Sequence, residues 1–282
     1  MKLGLKILLI LLAIIIIIGL FFYLSLTKSS TTPAFLYIEQ GIVEVDKGNG
    51  YEKAVDEMEL KSDYKVRTLN GKASVVFYES EVLQLEENTE IKIDELKNEK
   101  VSIKQELGQT WNGVSKLTGK RDYSLKTPKS VATIRDTQYG IKSNNEDTLL
   151  VGEGIVKLCN INNNCNEFKF LEKGIVKNNT IEKAQLTKED ISYIKSKILK
   201  NIEILKKVRL REINKNKITL SIIKKSYEFT DEQFINYLSE IDQGLHNLDE
   251  LAEKSPIKSE SLNKTKKLSE EIIRLNQHLN KI

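Results

Sequence analysis

Histidine is almost missing from this chain of 282 residues. The two present, His246 and His278, fall in a C-terminal stretch of helical periodicity, far from any nucleophile-like motif, and read as surface residues. A Ser-His or Cys-His catalytic pair therefore has no base to use. Cysteine is as sparse: Cys159 and Cys165 are the two in the chain, with no histidine nearby, too few ligands for a tetrahedral zinc site. No glycine-rich phosphate loop, HExxH or GxSxG occurs. Carboxylates are plentiful, but no pair is set apart by its context. The expectation is a non-enzyme with no catalytic residue, no cofactor and no metal. Charge names no partner either, because 44 basic against 40 acidic residues leave a net +4.

Long uncharged runs are also absent, with one exception at the start. Ile7 to Leu26 carries no charge and includes Ile14 to Ile18. At 1.5 Å per residue it spans about 30 Å, the thickness of a bilayer core. A segment apolar on every face for this length is unlike a buried helix of a soluble domain. The rival reading is a cleaved signal peptide, whose apolar region runs about 7–15 residues and ends in a small-x-small site. This run is longer, and SLTKSSTTPA offers a poor site, so a retained anchor is expected. Lys2 and Lys6 precede it and Lys28 follows, which leaves the N-terminus in the cytoplasm and the bulk outside a cell membrane crossed once. The expected division is 1–27 for the stub and transmembrane helix, 28–34 for a polar linker, 35–186 for an all-β domain and 187–282 for a helical module.

From Phe35 to about Leu186 the chain alternates apolar and polar residues in short stretches: LYIEQ, GIVEV, YKVRT, ASVVFY, EVLQLE, EIKID, VSIKQ and DYSLK. Turn-forming KGNG, LNGK, EEN, KNE and SNNED separate them. This predicts an antiparallel β-sandwich or stack of short strands, so the whole chain is mainly β plus α. No solenoid-type repeat is present.

Within this region Thr127 to Ile141 reads TPKSVATIRDTQYGI. It resembles the signature of the FecR domain family, roughly T-P-x-(x)-V-A-x-V-R-G-T-x-F-x-V. Thr127, Pro128, Val131, Ala132, Arg135 and Thr137 match, and Ile134, Tyr139 and Ile141 replace Val, Phe and Val conservatively. The family's glycine after the arginine is Asp136 here; aspartate is among the few residues that tolerate the positive φ glycine supplies there. Weaker similarities follow the family order at Leu36–Val45, Tyr64–Thr68, Ala73–Phe77, Leu107–Lys116 and GEGIVKL (Gly152–Leu158, with Glu153 and Gly154), and Gly174 stands where the family has a late glycine. Several family loop glycines are missing around Glu79–Glu81. The resemblance implies a non-enzymatic domain. Its best-known members relay receptor occupancy from the periplasm to a cytoplasmic sigma factor through a cytoplasmic N-terminal domain. Here about six residues precede the apolar run, so binding outside the membrane is expected and the relay is not.

Two readings stay open at several positions. Trp111 is a core filler or a ligand platform. Arg135 is a structural arginine, buried beside the strand of Glu153, or a ligand anchor. Cys159 ends GIVKLC and Cys165 begins CNEFKF around an Asn-rich loop, which suits a disulfide across a hairpin; the alternative is two unpaired thiols.

From Thr187 the period becomes 3.6. Thr187 with Asp190 opens a helix reaching the 220s, with Ile191, Ile194, Ile198, Ile202, Leu205 and Val208 on one side. Thr230 with Gln233 opens a second, apolar at Phe234, Leu238, Ile241, Leu245, Leu248 and Ala252 and ended by Pro256; a third carries Leu268, Ile272, Leu275, Leu279 and Ile282. The first is basic and Glu228–Glu253 holds only acids, which predicts a hairpin with complementary flanks, or a three-helix coiled module, and no nucleic acid. The functional expectation is a membrane-anchored binding or sensing module for an envelope protein or ligand. The alternative is a scaffold oligomerising through residues 187–282.

Overall fold

The structure, a computed structural model, describes residues 34–97, 99–115, 122–215, 217–246 and 260–282, together with 14, 16 and 17. Contacts group residues 31–205 and 274–282 in one compact unit and residues 206–273 in another.

The first unit is built on one sheet of fourteen strands. In chain order they are β1 Ala34–Gln40, β2 Val43–Asp46, β3 Tyr51–Lys53, β4 Lys65–Thr68, β5 Lys72–Phe77, β6 Glu81–Leu85 and β7 Thr89–Lys97, then β8 Lys100–Gly113, β9 Asp122–Lys126, β10 Ser130–Ser143, β11 Asp147–Asn160, β12 Cys165–Lys169, β13 Lys173–Lys177 and β14 Thr180–Ala184. The main path runs β14-β13-β11-β10-β9-β8-β7-β4-β2-β3, with β1, β5 and β6 joined to it through β8 and β12 through β11. The expected alternation is plain in β7, where Thr89, Ile91 and Ile93 are buried between half-buried polar residues. Ile91 and Ile93 join Val45, Val66, Ile103, Leu125, Ala132 and Val156 in one core.

The structure corrects two expectations here. The sheet is not purely antiparallel, because β8 and β9 run parallel over Lys100–Lys104 and Asp122–Lys126. Nor are all strands short: β8, β10 and β11 each extend over 14 residues. Each long strand changes partners along its length. β8 pairs β7 and β9 early and β6 and β10 late, and β10 leaves β9 for β8 after a register shift between Arg135 and Gln138. At Gly108, with φ +93°, a Cβ would lie 2.5 Å from the Asn88 carbonyl oxygen, so the strand passes there on glycine. The polar/apolar phase slips at that point, which is why VSIKQ and the Trp111 stretch read as separate strands.

Cys159 and Cys165 face each other in the β11–β12 register and are bridged. Asn160 holds the connecting loop by accepting from the Asn162 and Asn164 N–H groups, both at 3.0 Å. Closing so small a loop restrains the unfolded chain by about 2–2.5 kcal/mol. Reduction should lower stability in urea melts by that amount and leave the sheet folded. Global unfolding on reduction, or two alkylatable thiols in non-reduced protein, would contradict it.

Among the described residues four helices follow: α1 Lys188–Lys215, α2 Lys217–Ser226, α3 Asp231–Asp242 and α4 Glu260–Leu279. The predicted start of α1 is present, Thr187 Oγ1 accepting from Asp190 N–H at 3.1 Å and the Asp190 carboxylate from Thr187 N–H at 2.9 Å. Thr230 and Gln233 form the predicted capping box of α3. The end of α3 departs from expectation. Gly244, at φ +77°, donates to the Ile241 carbonyl while Leu245 N–H reaches Glu240, so the helix stops in a Schellman motif. Leu245, expected on the apolar stripe, is 65% exposed; the stretch expected to carry Leu248 and Ala252 lies outside the described residues. In this second unit Ile213, Ile223, Phe234, Leu238 and Ile241 form the core, with Leu262 and Ile273 against it.

Among the described residues no helix is long and apolar enough to cross a membrane. The expected span Ile7–Leu26 lies outside the described residues, apart from Ile14, Ile16 and Ile17, which are helical and exposed, and so does the expected linker up to residue 33, its last position, Ala34, opening β1.

Candidate functional site

The motif strands come together as a hydroxyl-clamped, bulged pair. Asp147 is buried at the start of β11 and accepts from Ser130 Oγ at 2.6 Å, Ser143 Oγ at 2.7 Å and the Thr127 hydroxyl. Thr127 also accepts from the Lys129 and Ser130 N–H groups. The Thr-Pro pair thus closes the turn into β10, with Pro128 at the exposed tip, and satisfies a buried carboxylate with hydroxyls alone. Ala132, Ile134 and Tyr139 point into the core, while Val131 is half-buried opposite Cys159.

At the register shift Asp136 adopts φ +53° and Gly154, across from it, φ +79°. The tolerance expected of Asp136 is therefore used. A Cβ at Gly154 would fall 2.7 Å from both Asp136 O and Thr137 Oγ1, and the Thr137 hydroxyl donates to Ile155 O at 3.2 Å. Asp136→Gly should change stability by less than about 1 kcal/mol, since relief of the left-handed conformation is offset by glycine's entropy. Gly154→Val should cost more than about 2 kcal/mol, because strain and overlap add there. Equal urea midpoints for the two variants would argue against the bulge.

Arg135 lies opposite Ile155 in the register, and its side chain is outside the described residues. Its expected neighbour Glu153 is in the adjacent strand, opposite Gln138, and its carboxylate meets Arg274 of α4. His278 does not lie on the surface as expected. It is 8% exposed, its Nε2 is 2.7 Å from the Gly152 carbonyl oxygen, and its ring stands edge-on to Phe170 at 5.0 Å. The motif strand β11 is therefore covered at Gly152–Glu153 by residues 274–282. An isolated histidine on a polar helix gives no sequence signal of this.

The first half of α1 seats on the same sheet. Trp111, fully buried in β8, has Tyr193 of α1 edge-on at 6.0 Å and donates to Gln138 Oε1 at 3.3 Å. Glycines make room for it: a Cβ at Gly140 or Gly152 would stand 2.8 Å from the indole, and at Gly152 also 3.0 Å from Ile194. Beside the indole, Asn201 of α1 accepts from Gln84 Nε2 at 2.5 Å and donates to Gln138 Oε1 at 2.5 Å, while Gln84 also reaches the Lys197 carbonyl. The filler reading of Trp111 fits this packing. Lys197 contacts Glu86, yet burial, reinforced by Lys72, lowers its ammonium to about 8.

Where the start of α1 lies over β8 and β10 it leaves two adjoining cavities of about 320 and 400 Å³. Gln109, Lys142 and Tyr193 line both. One lobe continues to Thr148, Lys173, Glu189 and Asp190, the other to Lys72, Glu86, Asn88 and Asn144. Ion pairs close the outer ends, Lys173 with Asp190 at 2.8 Å and Lys72 with Glu86 at 2.9 Å. Burial works against the charge of Asp190, but Lys173 and the Thr187 N–H hold its carboxyl below the usual range. Burial pushes the Tyr193 phenol far up, against a smaller pull from Gln109. Sequence reading passed over Tyr193 and Lys142. The available signal was an aromatic between Ile191 and Ile194 at the start of an amphipathic helix. Among the described residues no group of three or more His, Cys, Asp or Glu side chains could hold a metal.

The hydroxyl-clamped strand pair and the cleft beside the start of α1 lie in one mainly β unit. Residues 64–157 match the family model for FecR protein, so the chain carries a FecR domain over that segment. No curated protein matches the chain. Two crystal structures of a candidate anti-sigma factor from Parabacteroides distasonis ATCC 8503, at 2.50 and 1.65 Å resolution, are similar at 15% identity and a TM-score of 0.39. The similarity covers 43% of this chain and 59% of theirs.

Proposed function

We propose that this chain is a non-enzymatic regulatory protein whose FecR domain senses a ligand or envelope protein at the cleft beside α1. The carrying observation is the FecR match over 64–157, a segment that includes the β-side wall of that cleft at Lys72, Glu86, Gln109, Lys142 and Thr148. The helix supplies the opposite wall, so occupancy can bear on how α1 sits. Retention of Ile7–Leu26 as a single membrane span, with the bulk outside the cell membrane, belongs to the same proposal and rests on the length of the run and the flanking lysines. Deleting the gene should change a restricted set of transcripts, restored by the full chain, and protease added to intact cells should remove the bulk of the protein. An unchanged transcript profile would overturn the regulatory reading, and full protection from protease the topology.

A further inference from the structure

We infer that the cleft takes a small anionic ligand, a carboxylate or phosphate group seated between Lys142, Gln109 and Tyr193, which deepens the sensing reading above and rests on it. The other lysines around the cavities are already committed, Lys72 and Lys197 to Glu86 and Lys173 to Asp190. Lys142 is exposed where the two cavities meet, and no described carboxylate pairs with it. The Tyr193 hydroxyl is buried against the Gln109 side chain, whose amide is placed to donate to the phenol oxygen and so leaves the phenolic proton to donate. An ammonium, a phenol and an amide converge there as donors, and donors of this kind suit a negatively charged oxygen. The combined space is of the size that holds a small molecule. The ion pairs at the outer ends present both charge signs, which suits a ligand with polar groups on either side of its anion.

Trp111 is the single tryptophan of the chain, and Tyr193 stands edge-on to it, so the indole reports on the site. The full chain is titrated with inorganic phosphate in one arm and succinate in the other, at ionic strength held constant with sodium chloride. A saturable change in Trp111 emission is expected in at least one arm, and the responding arm tells phosphate from carboxylate recognition. Lys142→Met should weaken binding about tenfold and Tyr193→Phe about fivefold, while Lys142→Arg stays within about threefold. No saturable change in either arm, or equal binding by Lys142→Met, overturns the inference. Either result leaves the transcript test standing, so this failure is distinct from failure of the regulatory reading.

Discussion

Replacing Trp111 by alanine should lower the stability of the β unit by about 3–5 kcal/mol. The indole is fully buried, it has given Gly140 and Gly152 their shape, and α1 lies against it through Tyr193 and Ile194. Truncation removes the largest apolar side chain of that layer. It also leaves Gln138 without one of its donors, although Asn201 still satisfies the amide oxygen. Trp111→Phe keeps most of the volume and should cost under about 2 kcal/mol. Urea melts followed by circular dichroism decide it, since the variant has no tryptophan to report. A loss below about 1 kcal/mol for alanine would mean that the helix, not the indole, fixes the layer. Glycine-to-valine at 152 should act in the same direction from the other side, by forcing the indole and Ile194 apart.

Much of this layer was legible in the sequence and part was hidden, for physical reasons. Period-2 alternation exposed strands such as β7 because one face is buried and one is wet. It could not reveal that β8, β10 and β11 continue through a change of partner, since a bulge at Asp136 or a kink at Gly108 resets the alternation. The motif residues were legible as a group. Their roles were not, because the Thr127 hydroxyl serves Asp147, twenty residues away in a different strand. Glu153 lies in the strand next to that of Arg135, but the cation it meets, Arg274, lies 121 positions on. The cleft was invisible for the same reason: Lys142 and Tyr193 meet only once α1 is seated. The helical tail was legible in its starts, where capping residues act locally. Its stop at Gly244 was missed because the apolar spacing beyond it continues on paper.

Arg209→Ala should destabilise the helical unit by about 3–5 kcal/mol, through the charge it strands. Arg209 and Asp242 are each 3% exposed. The guanidinium reaches the carboxylate twice, Nη1 to Oδ1 at 2.5 Å and Nη2 to Oδ2 at 2.9 Å, and Nη1 also donates to Ser269 Oγ at 2.8 Å. Lys206 approaches Asp242 from the more exposed side at 3.1 Å. Among the described residues the complementary charge expected along the helix flanks includes this buried point joining α1, α3 and α4, and a pair of Lys224 in α2 with Asp231 in α3. Without the arginine, Asp242 keeps Lys206 on its more exposed side and lies beside the apolar cluster of Ile213, Leu238 and Ile241. Replacing both members, Arg209→Met with Asp242→Leu, should cost much less than either single change, because no charge is then left buried. Helix content against urea measures both. A loss under about 0.5 kcal/mol for Arg209→Ala, or a double variant less stable than the worse single, would show that the pair is solvated and that Ile213, Phe234, Leu238 and Ile241 hold the helices unaided.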